Sequence, residues 1–263
     1  MDLKLKGKVA MVAASSKGLG YGIAQALAKE GASLSIGSRT EKDIYEAAEK
    51  IINETGVPVL ANILDSSNLN SIQKWTKATI NEYGGIDKLV VNAGGPPTGK
   101  FLDFSDDDWQ EAFELNLLSA IRMIRTALPS MRERGGGSIL TVTSMSVKEP
   151  IDLLILSNVM RSGVTSLVKS LSKQLAKDKI RINNLMPGRI NTDRVRKLDE
   201  ISSKNKGVSI EQIKASSNAN IPLGRYGEIH EFGSCGAFLL SDAASYITGS
   251  SLAIDGGALK TVW

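Results

Sequence analysis

Short apolar runs alternate with longer segments of helical periodicity along almost the whole chain. The runs are bounded by Gly, Asn or Asp, and they read KVAMVAA, ASLSIG, PVLANI, DKLVVNAG, GSILTVTS, IRINNLMPG and SLAIDGG. Seven short strands separated mostly by helices are typical of parallel strands that are buried on both faces of a sheet. The pattern therefore predicts an α/β fold with a doubly wound, mainly parallel sheet of seven strands and helices on both faces.

The segments between these runs predict six helices, over residues 18–30, 41–53, 68–83, 106–134, 162–177 and 228–240. Asp65 and Ser66 are candidate N-caps for the third helix, and Ser105 is the candidate for the fourth. No linker, internal repeat or change of composition divides the chain, so we expect one domain over residues 1–263. The least regular stretch, 191–225, is long enough to form a mobile lid over a substrate.

Composition places the chain among globular proteins. Apolar residues make up 42% of the 263 residues and charged residues 23%, which argues against disorder, a collagen-like fibre or a coiled-coil rod. No apolar run approaches the roughly 18 residues of a membrane span, and the first residues lack the apolar core of a secretory leader. We therefore expect a cytoplasmic protein with no membrane partner.

Metal and nucleic-acid ligands have little support. Cys235 is the single cysteine and His230 the single histidine, so a disulfide within the chain or a zinc site of these ligands has too few members. The net charge of +4 comes from 32 basic and 28 acidic residues that are dispersed along the chain. We expect no metal and no nucleic-acid partner, whereas a small anionic ligand is compatible with this balance.

A glycine-rich turn follows the first predicted strand. Residues 13–20 read AASSKGLG and lead directly into the first helical segment. Backbone amides in such a turn can approach a pyrophosphate, whose charge is stabilised at the helix N-terminus. Gly22, Ala24 and Ala28 also allow the helix to pack closely on the sheet, so a tight turn without a ligand is the alternative.

Several separate segments resemble, in order, the short-chain dehydrogenases/reductases. They are the glycine-rich turn, VVNAG at 90–94, Asn116 in the long helix, Ser144 after the fifth strand, Pro187 and Gly188 after the sixth, and SYITGSSLAIDGG near the end. The resemblance covers essentially the whole chain and is to the type that includes the 3-oxoacyl-carrier-protein reductases. It implies a Rossmann-like sheet, in the order 3-2-1-4-5-6-7, that binds a nicotinamide dinucleotide across the carboxyl ends of its strands.

The resemblance also implies a homotetramer. Members of the family pair their long helices, here 106–134 and 157–177, across two-fold axes. The terminal segment ALKTVW, which ends at Trp263, is expected at a second interface because an exposed apolar tail is a liability.

Charge after the second strand favours NADP(H). An NAD enzyme places an acid there for the ribose 2′-hydroxyl, whereas this chain has Ser38 and Arg39. Arg39 can form charge-assisted hydrogen bonds to a 2′-phosphate, and Lys17 resembles the second basic position of NADP-preferring relatives. The alternative is that both are solvated surface cations.

The resemblance implies a wider set of cofactor-binding residues around this pair. The set is Ser15, Ser16, Lys17, Gly18, Leu19, Gly20, Ser38, Arg39, Asn62, Ile63, Asn92, Ala93, Gly94, Pro187, Gly188, Ile190 and Thr192. Two differences from the family pattern predict that the cofactor binds more weakly but still binds. The turn opens Ala13-Ala14 where relatives usually have Thr-Gly, and Asn62 replaces the acid that holds the adenine amino group, unless Asp65 takes that role.

The residues that the resemblance implies for catalysis depart further from the family pattern. The family reduces carbonyls with a Ser, a Tyr, a Lys four residues after the Tyr, and an Asn that shapes a water relay; Ser144 and Asn116 match the Ser and the Asn. The segment MRSGVTSLVKSLSKQLAKDKIRINNLMPG aligns without a gap, and it places Ser157 at the Tyr position and Arg161 at the Lys position. An aliphatic hydroxyl is a far weaker acid than a phenol, so we expect altered proton transfer, while Arg161 can still hold the nicotinamide ribose.

Other residues are weaker candidates. Lys148 borders the expected pocket and Tyr226 follows the lid, but we favour a surface role for the first and a packing role for the second. We expect His230 to lie outside the pocket. Pro96 and Pro97 stiffen the loop beside the nicotinamide and are expected to shape the substrate entrance.

Three functions follow from these observations. The favoured one is an NADP(H)-dependent oxidoreductase that interconverts a ketone and a secondary alcohol, for which a 3-oxoacyl thioester is the family's commonest substrate. The second is a catalytically degenerate NADP(H)-binding sensor or partner protein, which the joint loss of Tyr and Lys favours. The third, a nucleic-acid-binding module, lacks a motif or a clustered basic and aromatic stripe.

Overall fold

The computed structural model describes residues 2–262 and contains one seven-stranded sheet. The strands are β1 (Val9–Ala13), β2 (Ser33–Ser38), β3 (Val59–Ile63), β4 (Lys88–Val91), β5 (Gly137–Val142), β6 (Ile180–Pro187) and β7 (Ser251–Ile254). Their order is 3-2-1-4-5-6-7, and all six neighbouring pairs are parallel. The predicted fold class is therefore confirmed.

Helices cover both faces of the sheet. They are α1 (Gly18–Lys29), α2 (Glu41–Thr55), α3 (Leu69–Tyr83), α4 (Asp106–Ala112), α5 (Ser119–Glu133), α6 (Ile155–Leu175), α7 (Asp193–Lys206), α8 (Ile210–Ala219) and α9 (Ile229–Leu240). Phe232 is fully buried in the core that α1, α2 and α9 form on one face, and Trp75 in the core of α3, α5 and α6 on the other. Within residues 2–262, none of these helices is long and apolar enough to cross a membrane.

The long helix predicted over 106–134 is interrupted. Ser105 accepts a hydrogen bond from the Asp108 amide at 3.3 Å, which confirms it as the N-cap of α4. A π-helical turn, Phe113–Leu118, then separates α4 from α5 and contains Asn116. A wide turn of this kind often occurs at functional sites, and it leaves the apolar pattern almost unchanged, so periodicity alone does not detect it.

The predicted N-caps of the third helix and the predicted start of the fifth helix are wrong. Asn68 caps α3 by accepting from the Ser71 amide at 3.1 Å, whereas the Asp65 carboxylate accepts from the amide and hydroxyl of Ser67. Asp65 and Ser66 therefore precede the cap. Helix α6 begins at Ile155, whereas its predicted start is residue 162. The prediction missed the first turns because the apolar residues before residue 162 resemble part of a loop-to-strand segment.

The segment 191–225 is largely helical, which corrects the expectation that it is irregular. Thr192 caps α7 by accepting from the Val195 amide, and Ser209 caps α8 by accepting from the Gln212 amide. Each helix buries only one residue, Asp199 on α7 and Ile213 on α8. Without a wide apolar face, these helices gave no periodic signal in the sequence.

Candidate active site

The turn between β1 and α1 is shaped to accept a diphosphate. Gly18 has a positive φ of 63°, and a Cβ at Gly20 would lie 2.4 Å from the Ala14 carbonyl oxygen. Lys17 precedes α1 and makes no side-chain cap, so no side chain from this position competes with a ligand for the first amides of the helix. Ala14 itself adopts φ 49°, a conformation in which its Cβ is strained.

The carboxyl end of β2 carries groups suited to a phosphorylated ribose. Ser38 is buried, and its hydroxyl has no hydrogen-bond partner within residues 2–262. Arg39 is exposed and pairs with no carboxylate of the described residues. Asn62 lies on the neighbouring strand, where its Nδ2 is 3.5 Å from Ser35 Oγ. Lys17 lies 3.7 Å from the Asp193 carboxylate, and both side chains remain largely exposed.

Three of the proposed cofactor residues are engaged within the protein. Ser15 is fully buried; its hydroxyl donates to the Val12 carbonyl at 2.7 Å and accepts from the Gly37 amide, so it links β1 to β2. Asn92 donates to the Ala14 carbonyl at 3.3 Å and supports the glycine-rich turn. Thr192 uses its hydroxyl to cap α7. A cofactor would have to contact Ser15 through atoms other than its hydroxyl hydrogen, whereas the Thr192 hydroxyl only accepts from the Val195 amide and keeps its hydrogen for a ligand.

Ser144 follows β5, and Asn116 lies in the π-helical turn. Ser144 precedes a short 3₁₀ turn, Met145–Val147, and its Oγ accepts from the Ser146 amide at 3.1 Å. The Ser144 hydroxyl hydrogen is therefore free to donate elsewhere. Asn116 donates through Nδ2 to the Gly94 carbonyl at 2.7 Å, while its buried Oδ1 has no partner within residues 2–262.

Ser157 and Arg161 lie on successive turns of α6 and contact each other. Arg161 Nε donates to Ser157 Oγ at 3.1 Å, and Nη1 donates to the Val142 carbonyl at 2.9 Å. Burial, followed by the charge of Arg194, lowers the pKa of Arg161 to about 10. The guanidinium therefore stays protonated near neutral pH, and because it donates to Ser157 Oγ, the Ser157 hydroxyl hydrogen is available to another acceptor.

Arg194 is a residue of the candidate site that the sequence analysis did not identify. It extends from the first turn of α7, and its Nη2 donates to the Pro96 carbonyl at 2.9 Å. Burial lowers the pKa of its guanidinium. The available signal was a cation two residues after Thr192, but nothing in the sequence showed that its side chain turns towards the loop after β4.

Comparison with known proteins decides the family. A family model described as enoyl-(acyl carrier protein) reductase matches residues 13–258. Dehydrogenase/reductase SDR family member 4 from Oryctolagus cuniculus is 32% identical over 97% of this chain and 94% of its own length. The chain belongs to the short-chain dehydrogenase/reductase family. The members of this family are oxidoreductases that use a nicotinamide cofactor.

Two further short-chain dehydrogenases/reductases are similar along their whole length. The 3-oxoacyl-[acyl-carrier-protein] reductase FabG of Vibrio cholerae is 31% identical over 97% of this chain and 98% of its own. The crystal structure of L-sorbose reductase from Gluconobacter frateurii, complexed with NADPH and L-sorbose, covers 100% of both chains with a TM-score of 0.95 and 32% identity.

The weaker candidates lie outside the short-chain dehydrogenase/reductase crevice or are held in place. Tyr226 donates to Asp199 Oδ2 at 3.1 Å, and Asp199 also pairs with Arg189, so the phenol is held by a part-buried network. His230 is exposed on α9, and Lys148 is half-buried beside the 3₁₀ turn. No group of three His, Cys, Asp or Glu side chains in the described part of the chain is arranged to hold a metal ion.

A separate cavity of about 460 Å³ opens at the opposite, amino-terminal edge of the sheet. Lys8, Lys88 and Arg181 contribute to its lining, and Asp87 at its wall pairs with Arg134. Short-chain dehydrogenases/reductases bind their cofactor at the carboxyl edge, where the glycine-rich turn, Ser144 and Ser157 lie in this chain. The crevice at that edge is therefore the candidate active site.

Proposed function

We propose that this protein is an NADP(H)-dependent reductase that interconverts a ketone and a secondary alcohol. The observation that carries the proposal is the hydrogen bonding of two serines. Ser144 Oγ accepts from an amide and Ser157 Oγ accepts from a guanidinium, so each keeps its hydroxyl hydrogen for a ligand. Two such donors suit the negative charge that develops on a carbonyl oxygen during reduction.

The cofactor fits the crevice through residues at both ends. Gly18, Leu19 and Gly20 at the start of α1 would hold the diphosphate, and Arg39 with Lys17 would hold the 2′-phosphate. Arg161 and Asn92 would border the nicotinamide ribose. When bound, the nicotinamide supplies the hydride for the carbonyl carbon.

The proton for the new alcohol comes from water in this proposal. Ser157 and Arg161 stand where relatives have Tyr and Lys, and neither is an acid that loses a proton readily near neutral pH. Asn116 Oδ1 is buried and unpaired within residues 2–262, so it can accept from a water molecule at the floor of the crevice. Asn116 would thus hold the water that delivers the proton, while Ser144 and Ser157 stabilise the oxyanion.

The alternative function is an NADP(H)-binding sensor or partner protein without turnover. Among the described residues, neither Ser157 nor Arg161 is suited to general-acid catalysis, and this favours the function without turnover. Oxidation of NADPH in the presence of a panel of ketones, together with a separate measurement of NADPH affinity, tests the two functions. Turnover that depends on a ketone supports the reductase, and tight binding without any turnover supports the sensor.

Cofactor preference should follow charge at the end of β2. We expect NADPH to bind more tightly than NADH, because Arg39 and Lys17 can pair with a 2′-phosphate and the end of β2 carries Ser38 and Arg39 where an NAD enzyme has an acid. Arg39→Asp should reverse the order, and calorimetric titration of both variants with both cofactors measures it. Lys77→Asp, a charge reversal on the exposed face of α3, is the matched control and should leave the preference unchanged. Tighter binding of NADH by the unmodified protein would contradict this prediction.

The homotetramer and the cytoplasmic location remain part of the proposal. Exposed apolar side chains support association: Val159 on α6, and Tyr246 and Leu252 beside and on the edge strand β7. Trp263, expected at the second interface, lies outside the described residues. Light scattering at micromolar concentration should give the mass of four chains.

A further inference from the structure

Two guanidinium groups converge on the segment that follows β4. Arg194 Nη2 donates to the Pro96 carbonyl at 2.9 Å, and Arg161 Nη2 lies 3.5 Å from the Ala93 carbonyl oxygen. The charge of Arg194 contributes to the lowered pKa of Arg161, after burial, which is the larger cause. The two cations therefore lie close enough to repel each other beside the proposed reacting position.

No carboxylate neutralises this pair within residues 2–262. The nearby acids are already engaged, because Asp193 pairs with Lys17 and Arg196, and Asp199 pairs with Arg189. Arg161 and Arg194 instead donate only to neutral oxygens, the carbonyls named above and Ser157 Oγ. Partly desolvated charges without a counter-charge are unfavourable, so a bound anion would stabilise this arrangement.

The cofactor diphosphate is not the counter-charge that the pair requires. The diphosphate already has the amino terminus of α1, with the backbone amides of Gly18, Leu19 and Gly20. Arg161, in contrast, contacts Ser157 on α6, and Arg194 contacts the loop that contains Pro96 and Pro97. This loop is the expected substrate entrance, so the missing anion belongs to the substrate.

We propose that the substrate is an oxo acid, a ketone whose free carboxylate is held by Arg194 with Arg161 while Ser144 donates to the ketone oxygen. The proposal rests on the reductase function above. The ketone carbon gains a hydride, with its electron pair, from NADPH, and the ketone oxygen gains a proton that the solvent supplies through the bound water; ketone, NADPH and H⁺ thus give the hydroxy acid and NADP⁺. A planar guanidinium forms paired hydrogen bonds with a carboxylate, which explains arginine at position 194 better than a general need for positive charge.

Matched substrates test the role of the carboxylate. The unmodified protein should reduce a 2-oxo acid with at least about tenfold higher kcat/KM than the methyl ester of the same acid, in line with the loss of a charge-assisted hydrogen bond. Arg194→Met should abolish this preference by raising KM for the acid, so that the acid and the ester are reduced with similar kcat/KM. Arg196→Met is the control, because Arg196 is exposed on the same helix and already pairs with Asp193.

A binding measurement separates this proposal from the reductase function. Oxamate carries a carboxylate and cannot be reduced as a ketone, so its affinity for the NADPH-loaded protein is measurable without turnover. We expect Arg194→Met to weaken oxamate at least about tenfold and to change NADPH affinity by less than about twofold. If no ketone is reduced but oxamate binding depends on Arg194, the reductase function fails and the anion site stands.

Two results would overturn the oxo-acid proposal. The first is equal reduction of the acid and its ester, or a clear preference for a neutral 3-oxoacyl thioester. The second is a loss of NADPH affinity in Arg194→Met with oxamate binding unchanged, which would assign Arg194 to the cofactor diphosphate.

Discussion

Replacing Ser144 by alanine should lower kcat for ketone reduction by about 10²–10³-fold, the usual cost of removing one donor to a developing oxyanion. The Ser144 hydroxyl accepts from the Ser146 amide and has its hydrogen free, so its donation to the substrate strengthens mainly in the transition state. NADPH affinity should stay nearly unchanged, because the hydroxyl does not contact the glycine-rich turn. Steady-state kinetics and NADPH titration of Ser144→Ala measure the two effects separately.

A control for this variant is available on α6. Ser162 is exposed, and its hydroxyl donates to the Asn158 carbonyl within the helix, so Ser162→Ala should keep both rate and affinity. Full activity in Ser144→Ala would show that Ser144 does not polarise the carbonyl. A parallel loss of NADPH affinity would instead place Ser144 in cofactor binding.

Introducing a phenol and an ammonium in α6 is expected to raise turnover of a simple ketone by about 10²-fold or more, since a positioned general acid typically contributes 10²–10⁴-fold. In Ser157→Tyr with Arg161→Lys, the Lys ammonium would lower the pKa of the new phenol towards the working range. The rate should then depend on the ionisation of the new tyrosine. Arg161→Lys alone should raise no rate, because Ser157 would still lack an acidic proton.

Space around position 157 decides whether the double variant is informative. Ser157 is 6% exposed, so a tyrosine must extend into the crevice, and thermal unfolding should show that the variant remains folded. If the unmodified protein already turns over quickly and the folded double variant is slower, another acid operates. Lys148 then becomes the residue to test, because Tyr226 is held by Asp199.

The strands and the order of the site residues were predictable from sequence for a physical reason. Parallel strands buried on both faces give short apolar runs, and each run matches a strand of the sheet. The gapless segment from Met160 to Gly188 carries the proposal that Ser157 and Arg161 stand at the catalytic positions. Their four-residue spacing on a helix is compatible with the hydrogen bond that the structure shows between them.

Features that depend on contacts between distant segments were not predictable. Arg194 points to Pro96, 98 residues away in the sequence, and no local pattern encodes that direction. Hydrophobic periodicity also did not reveal the π-helical turn that contains Asn116, because one wide turn hardly changes the apolar pattern. It did not reveal α7 and α8 because few residues of these helices are buried. Ser15 shows that a motif position does not by itself reveal what a side chain contacts. Its place in the glycine-rich turn predicted a contact with the cofactor, whereas its hydroxyl links β1 to β2.

Transfer of a label tests most directly whether this crevice performs reduction. NADPH with deuterium at the transferred position of nicotinamide C4 is incubated with the unmodified protein and a panel of ketones that includes a 2-oxo acid, and the alcohols are analysed by mass spectrometry. We expect an alcohol that carries one deuterium at the former carbonyl carbon, in a single configuration, and far less of this product over the same time with Ser144→Ala. NADPH that binds tightly while no ketone acquires the label would contradict the reductase function and leave a nucleotide-binding protein.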